Sequence, residues 1–374
     1  MEAPRALALA DDLTGALEVG AKFAQRRLST IVTTEVHSDL KGVADVVVID
    51  TETRHLPPAE ARSRVSALAY AAQAEGVPLI YKKTDSTLRG NIGGELCGIA
   101  SASPGEPLFY VPAYPEMGRT VRGGHLYVDG IRVSDTEFAS DALNPVTSSY
   151  IPDIISAQCS VPVFLASIDG IATVTRPGIY VCDGEVEEEV EAAAAALFFR
   201  PGVTLAAGPA VLPGYLAAFM SPGPAKTLSL PILARCLVIN GSRHELSCRQ
   251  MRHAEEHGWR KVEPGEIPER ISSSGWLLLE SGSFAPSSGA IREILREVHI
   301  DGLIVFGGDT AYSILQALEA PRLYPLGEVL PGVPIARIEL PQGKLYLITK
   351  AGGFGPVNVL PLIQQVMLKS GGLK

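Results

Sequence analysis

The run Lys82-Lys83-Thr84-Asp85-Ser86-Thr87-Leu88-Arg89-Gly90-Asn91 concentrates the polar chemistry of this 374-residue chain. Three cations, a carboxylate and three hydroxyls follow directly on the apolar stretch Val77-Pro78-Leu79-Ile80-Tyr81. An apolar strand that empties into such a segment reads as a strand end carrying a site, because open α/β sheets bind ligands at the carboxyl ends of their strands. A solvated loop with a helix N-cap at Asp85 or Ser86 is the plainer alternative. The same arrangement occurs where Leu7-Ala8-Leu9-Ala10 ends in Asp11-Asp12-Leu13-Thr14-Gly15-Ala16, before a helical run from Ala16 to Gln25. Adjacent carboxylates repel, so one of them should bind a cation, a proton or a donor group. Capping of the following helix by Asp11 or Asp12 is the alternative. A third polar strand end follows Leu108-Phe109-Tyr110-Val111, in Pro112-Ala113-Tyr114-Pro115-Glu116-Met117-Gly118-Arg119-Thr120. Arg119 there offers a planar fork suited to a carboxylate or phosphate. Tyr127-Val128-Asp129-Gly130-Ile131 reads as a hairpin turn, and His125 beside it suits a turn or packing role better than a ligand role.

Glycine clusters supply a second chemistry. Phe306-Gly307-Gly308-Asp309-Thr310-Ala311 lies between a strand-like run and the helical run Ala311 to Glu319. Paired glycines let backbone N–H groups approach phosphates, and a helix N-terminus adds positive potential. Asn240-Gly241-Ser242 repeats the strand-to-loop arrangement, and Gly352-Gly353-Phe354-Gly355 offers another loop next to Lys350. Any one of these alone could be an ordinary turn. No Gly-x-x-x-x-Gly-Lys-Ser/Thr, Gly-x-Gly-x-x-Gly or His-Glu-x-x-His motif is present, so an ordinary P-loop, a dinucleotide fold and a zincin lack support.

Taken together, Ala10 to Ala16, Lys83 to Asn91, Pro112 to Gly130, Asn240-Gly241-Ser242, Phe306 to Ala311 and Lys350 to Gly355 resemble the motifs of the four-carbon acid sugar kinase family, in the family's order. The resemblance runs from about residue 7 to about residue 365. It implies ATP-dependent phosphorylation of a threonate, erythronate or 3-oxo-tetronate, with the acid on the N-terminal domain, ATP on the C-terminal domain and the active site in the cleft between them. On this reading Asp12 is the base that takes the proton of the attacking hydroxyl, with Asp85 second. Asp11, Lys83, Arg89, Gly118, Arg119 and Thr120 bind the acid. Arg89 and Arg119 meet its carboxylate, and the aspartates accept from its hydroxyls. Ser242, Gly307, Gly308, Asp309, Thr310, Gly352 and Gly353 bind the nucleotide, with His244 near it, and Mg²⁺ bridges the phosphates rather than occupying a metal site of the protein. Some motifs depart from the family's usual wording: Gly-Gly-Asp-Thr at 307–310 replaces Gly-Gly-Glu-Thr, Gly-Ser-Arg-His at 241–244 replaces Gly-Ser-Cys-Ser, and Ala-Gly-Gly-Phe-Gly at 351–355 replaces Ser-Gly-Asn-Phe-Gly. These departures motivate an alternative, a sugar-acid-binding protein of the same fold with weak or no kinase activity.

The elements that must position these residues alternate strand and helix. Asp45-Val46-Val47-Val48-Ile49-Asp50 is a buried strand ending in Thr51-Glu52-Thr53-Arg54, and a helix is expected after Pro57-Pro58 to about Glu75. A strand at Gly178 to Gly184, a Glu/Ala-rich helix from Glu185 to Phe199 and a strand at Val203 to Gly208 continue the pattern. Later strands are expected at Cys236 to Asn240, Trp276 to Glu280, Gly302 to Phe306 and Lys344 to Ile348. This βαβ alternation predicts an α/β fold of two domains, each a mostly parallel sheet flanked by helices. The proline- and glycine-rich segment Met220 to Pro231 divides them, giving 1–228 and 229–374.

Composition agrees: 46% hydrophobic residues suffice for a large core. The net charge of −9 argues against nucleic acid, while Lys82, Lys83, Arg89, Arg119 and Arg122 form the local basic exception an anionic substrate requires. Cys97, Cys159, Cys182, Cys236 and Cys248 show neither zinc spacing nor a disulfide framework and are expected reduced. No signal-peptide pattern or membrane-length apolar run is seen, so a cytoplasmic protein with no membrane partner is expected. The reading allows a homo-oligomer.

Overall fold

A computed structural model describes residues 2–35, 40–225, 230–267, 269, 271, 275–279 and 289–369. Two compact units emerge, Met1–Ala225 and Lys226–Lys374. The expected boundary at 228 and 229 falls on residues 226–229, outside the described residues.

In the first unit the strands are β1 (Ala6–Ala10), β2 (Thr30–Thr33), β3 (Val46–Asp50), β4 (Leu79–Lys83), β5 (Pro107–Tyr110), β6 (Arg119–Arg122), β7 (His125–Val128), β8 (Ile131–Arg132), β9 (Val163–Ala166), β10 (Gly178–Cys182) and β11 (Thr204–Gly208). Its main sheet runs β2-β3-β1-β4-β11-β5-β10-β9 with every neighbouring pair parallel. Strands β1, β3 and β4 are buried at every position, as continuous runs in a sheet covered on both faces must be. Strands β6, β7 and β8 form a separate antiparallel sheet, and Asp129 and Gly130 turn between the last two with φ of 50° and 81°. That is the hairpin expected there.

Among the described residues six α-helices join these strands: α1 (Leu13–Gln25), α2 (Pro58–Ala74), α3 (Ile92–Ala102), α4 (Ile151–Ser156), α5 (Glu187–Phe198) and α6 (Val211–Met220). Helix α1 starts three residues before the expected Ala16, because the Asp12 carboxylate accepts from the Gly15 N–H at 2.8 Å and closes its first turn. Helix α2 opens on Pro58, which suits a first turn lacking N–H partners.

The second unit holds β12 (Cys236–Asn240), β13 (Arg260–Val262), β14 (Trp276–Leu279), β15 (Gly302–Phe306), β16 (Arg322–Leu330), β17 (Val333–Leu340) and β18 (Gly343–Lys350), with helices α7 (Glu245–Glu256), α8 (Gly289–Glu297), α9 (Gly308–Leu318) and α10 (Val359–Leu368). Glu280, expected to end β14, lies outside the described residues. The order is β13-β14-β12-β15-β18-β17-β16. The first five strands are parallel, and β17 and β16 continue the sheet antiparallel. The pair β16–β17 was not expected. Its signal is a period of two in burial along β16, where buried and half-buried residues alternate from Leu323 to Leu330. Trp259 meets Trp276 edge-on at 5.6 Å in this unit's core, so both tryptophans of the chain lie in the second unit. Among the described residues no helix is long and apolar enough to cross a membrane.

Candidate functional site

Strands β3, β1 and β4 are neighbours, and each ends in polar side chains at its carboxyl terminus. The Arg54 guanidinium, just beyond β3, ties these ends together. Its Nε donates to Asp11 Oδ2 at 2.6 Å and its Nη1 to Asp12 Oδ2 at 2.7 Å. Its Nη2 stands 3.7 Å from Asp85 Oδ1 beyond β4. Three carboxylates from two strand ends thus share one planar cation, which is the cation Asp11 and Asp12 needed. Asp12 also caps α1 through its other oxygen, so both the capping and the ion-pairing readings hold for it. Burial pushes the Asp11 carboxyl up, but Arg54, Lys82 and Lys83 outweigh it and hold the group below its ordinary value. At Asp85 burial is likewise outweighed, by Arg89 and Arg54, and the carboxyl sits well below the usual range.

The adjacent lysines separate, because successive strand residues point to opposite faces. Lys82 Nζ lies 3.1 Å from Glu95 Oε2 of α3, both side chains being fully buried. Lys83 Nζ lies 4.0 Å from Glu18 Oε2 of α1 and donates to the Thr84 carbonyl. A side chain at Gly15 would put a Cβ 2.8 Å from that ammonium, so glycine keeps the path of Lys83 clear.

Asp85 organises its own turn. Its Oδ2 accepts from the Thr87 N–H, the Thr87 hydroxyl and Arg89 Nε, while Oδ1 accepts from Arg89 Nη2 at 2.8 Å. It therefore caps a turn and not a helix; α3 starts only at Ile92. Arg89 is further held by Asp141 at 3.4 Å and by the Phe138 ring at 5.6 Å, so acidic partners within the protein already match its charge. Arg119 is buried on β6, donates to the Met117 carbonyl, and is shifted below the ordinary guanidinium range by burial. Gly118 sits at φ 73° with Asp129 Oδ1 2.0 Å from where a Cβ would stand, so the turn itself demands glycine. Thr120 and Arg122 share the opposite face of β6 from Arg119. Arg122 is exposed, 3.8 Å from Glu185 and over the Tyr127 ring, and does not join the other cations as expected. His125 packs on Tyr150 at 4.8 Å. Two polar atoms beside the carboxylates, Asp11 Oδ1 and Thr14 Oγ1, are buried without a hydrogen bond among the described residues.

The second unit repeats the plan. Strands β12, β15 and β18 are neighbours and parallel, and their carboxyl ends carry the three glycine-bearing segments. The Gly241 N–H donates to Phe306 O and the Gly307 N–H to Lys350 O, fastening each loop to the next strand. A Cβ at Gly241 would lie 1.7 Å from Thr310 Oγ1, and one at Gly352 would lie 2.3 Å from Ser242 Oγ. Ser242, Gly307, Thr310 and Gly352 therefore converge, with Gly308 and Asp309 in the first turn of α9 and Gly353 beside the His244 ring. The buried Lys350 Nζ donates to the carbonyls of Ala351 and Phe354. Burial pushes its pKa down to about 7. Among the described residues no group of three or more His, Cys, Asp or Glu side chains is placed to hold a metal ion.

Thr14 stood in the Asp11 to Ala16 run with no role assigned to it, and Arg54 is the site residue that sequence reasoning passed over. Its signal was position: it closes Thr51-Glu52-Thr53-Arg54, a polar strand end like the two beside it.

Comparison with known proteins follows this division. A model described as a sugar-binding N-terminal domain matches residues 6–213, and one described as a nucleotide-binding C-terminal domain matches residues 285–360. The D-threonate kinase of Salmonella typhimurium is 29% identical over 95% of this chain and 96% of that protein. The D-erythronate kinase of Heliobacterium modesticaldum is 25% identical over 88% and 89%. A crystal structure of a domain of unknown function from Bordetella bronchiseptica, a domain-swapped dimer with bound citrate, is 27% identical, with a TM-score of 0.53 over 98% of this chain and 99% of that one. Both units match in order and the relatives match along nearly their whole lengths, so this chain belongs to the four-carbon acid sugar kinase family.

Proposed function

We propose that this protein transfers the γ-phosphoryl group of ATP to a hydroxyl of a four-carbon sugar acid, of the class spanning threonate, erythronate and 3-oxo-tetronate. The observation that carries the reading is the Arg54 cluster, with Asp11, Asp12 and Asp85 beside two buried and unsatisfied atoms, Asp11 Oδ1 and Thr14 Oγ1. Buried polar atoms without partners are costly, and substrate hydroxyls would satisfy these two. The relatives' names support the substrate class, and they divide between different acids.

Phosphoryl transfer is chiefly positioning and neutralisation of charge. Asp11 and Thr14 orient the acid's hydroxyls. Lys83 and Arg119 supply positive potential for its carboxylate, and Arg89, its charge already matched by Asp85 and Asp141, offers only a hydrogen-bond donor. Asp12 takes the proton of the attacking hydroxyl. Asp85 is a poor base, since two arginines hold it ionised, and the Asp12 side chain is 11% exposed against 2% for Asp11. In the second unit the glycines at 241 and 352 let their loops close onto Thr310 and Ser242, so that Ser242, Gly307, Thr310 and Gly352 converge, an arrangement that suits nucleotide phosphates. Mg²⁺ bound to ATP would neutralise phosphate charge.

ADP release from ATP and Mg²⁺ with each of the three acids, against a no-acid control, tests the reading. Release that depends on one acid names the substrate. Acid binding without any release would favour the non-catalytic alternative. Asp12→Asn should lower kcat by about 100-fold or more with little change in acid affinity. Normal turnover would remove Asp12 as the base.

A further inference from the structure

The loop after β18 has its carbonyls drawn inward. Lys350 Nζ reaches Ala351 O at 2.7 Å, Gly352 O at 3.3 Å and Phe354 O at 2.9 Å, and in its ammonium form its three N–H bonds match these three acceptors. Gln250 Nε2, from α7, donates to Phe354 O at 3.0 Å, Gly355 O at 3.2 Å and Pro356 O at 3.0 Å. Ser247 Oγ, one turn earlier on α7, donates to Gly352 O at 2.9 Å. All three donor residues are completely buried. The Phe306 ring lies 4.5 Å from the ammonium and favours its charge.

Five carbonyls within six residues therefore converge on one cation and one amide. A peptide unit whose oxygen faces inward turns its N–H edge the other way. Four of the five peptide units concerned carry an N–H, the Gly355–Pro356 unit having none, and a loop arranged like this presents those four amide dipoles on its outer side, where they attract an anion. Without its donors, the convergent oxygens would repel one another and lose their partners in the core. Some would turn outward, toward the face that Ser242 and Gly352 share, and would repel phosphate there.

We propose that Lys350 and Gln250 are positioning residues for the nucleotide: they hold the 351–356 loop with its carbonyls inward and its amides toward the phosphates. This rests on the nucleotide-binding reading of the second unit. Neither residue touches the reacting atoms. Their effect is therefore on ATP binding and not on the chemical step.

The test uses the full chain with ATP, Mg²⁺ and the acid that supports turnover. Lys350→Met should raise KM for ATP about tenfold while kcat stays within about threefold, and KM for the acid should not move. Gln250→Leu should raise KM for ATP several-fold in the same pattern, and it carries the test if Lys350→Met does not fold. A merely structural role would lower the unfolding midpoint and the active fraction but leave KM for ATP unchanged. An unchanged KM for ATP in the folded variants overturns the proposal while the kinase reading stands. Failure of the unmodified chain to bind Mg–ADP by calorimetry overturns both.

Discussion

A single guanidinium balancing three carboxylates makes Arg54 the most consequential side chain of the first unit. Replacing it by methionine keeps the apolar stem but leaves buried carboxylates without their cation. Breaking a buried pair in this way costs about 3–5 kcal/mol. Arg54→Met should therefore lower the unfolding free energy by that amount in a urea titration, and a loss below about 1 kcal/mol would mean the carboxylates find other partners. The same cluster sets an acid limit. Asp11 and Asp85 have folded pKa values below their unfolded ones, so their stabilisation is fully present above about pH 4 and is lost as pH falls through the folded values. Circular dichroism against pH should show the intact protein losing stability only below about pH 4, while in Arg54→Met, where the buried carboxyls are no longer held down by that cation, the loss on acidification should be smaller. Asp50 and Glu95 are shifted the other way, raised by burial. They oppose this trend, and their contribution is felt near and above the usual carboxylate range.

Both units put their polar chemistry on three adjacent parallel strands, β3, β1 and β4 in one and β12, β15 and β18 in the other. Close approach at these ends needs small residues. Gly352→Ala would drive a Cβ to within 2.3 Å of Ser242 Oγ and separate two of the loops. Nucleotide affinity measured by calorimetry should fall about tenfold or more, with acid affinity unchanged. Much of this layout is legible in sequence, because an apolar run ending in Asp11-Asp12 or Lys82 to Asn91 is a local pattern. Arg54 was passed over because one arginine after a strand looks like any surface cation, and its meaning comes from Asp11, 43 residues away. Adjacent Lys82 and Lys83 look like one basic patch until the strand sends them to opposite faces. The antiparallel strands β16 and β17 escaped notice because Pro325 and Gly327 interrupt a pattern whose alternation is otherwise regular, and a register shift falls between those two residues. Gln250 reaches the Phe354 carbonyl, which Lys350 also holds, across about a hundred residues, and no local pattern announces such a contact.

At the scale of the molecule, a chain of net charge −9 handles anions by local arrangement and not by its overall field. Arg54, Lys82, Lys83, Arg89 and Arg119 stand within the first unit beside acidic partners, so steering by net charge should be weak and acid affinity should depend little on ionic strength. Titration of the acid at low and moderate salt checks this, and a steep salt dependence would point to an exposed basic surface instead. Stability will also respond to each ligand separately by mass action, since a ligand at a hundred times its Kd adds about 2.7 kcal/mol to the unit that binds it. Trp259 and Trp276 both belong to the second unit and pack against each other. Indole emission is therefore a built-in optical label for one half of the chain: a melting curve followed at tryptophan wavelengths records that half, and comparison with a whole-chain signal tells whether the two units unfold together or in turn, without any introduced dye.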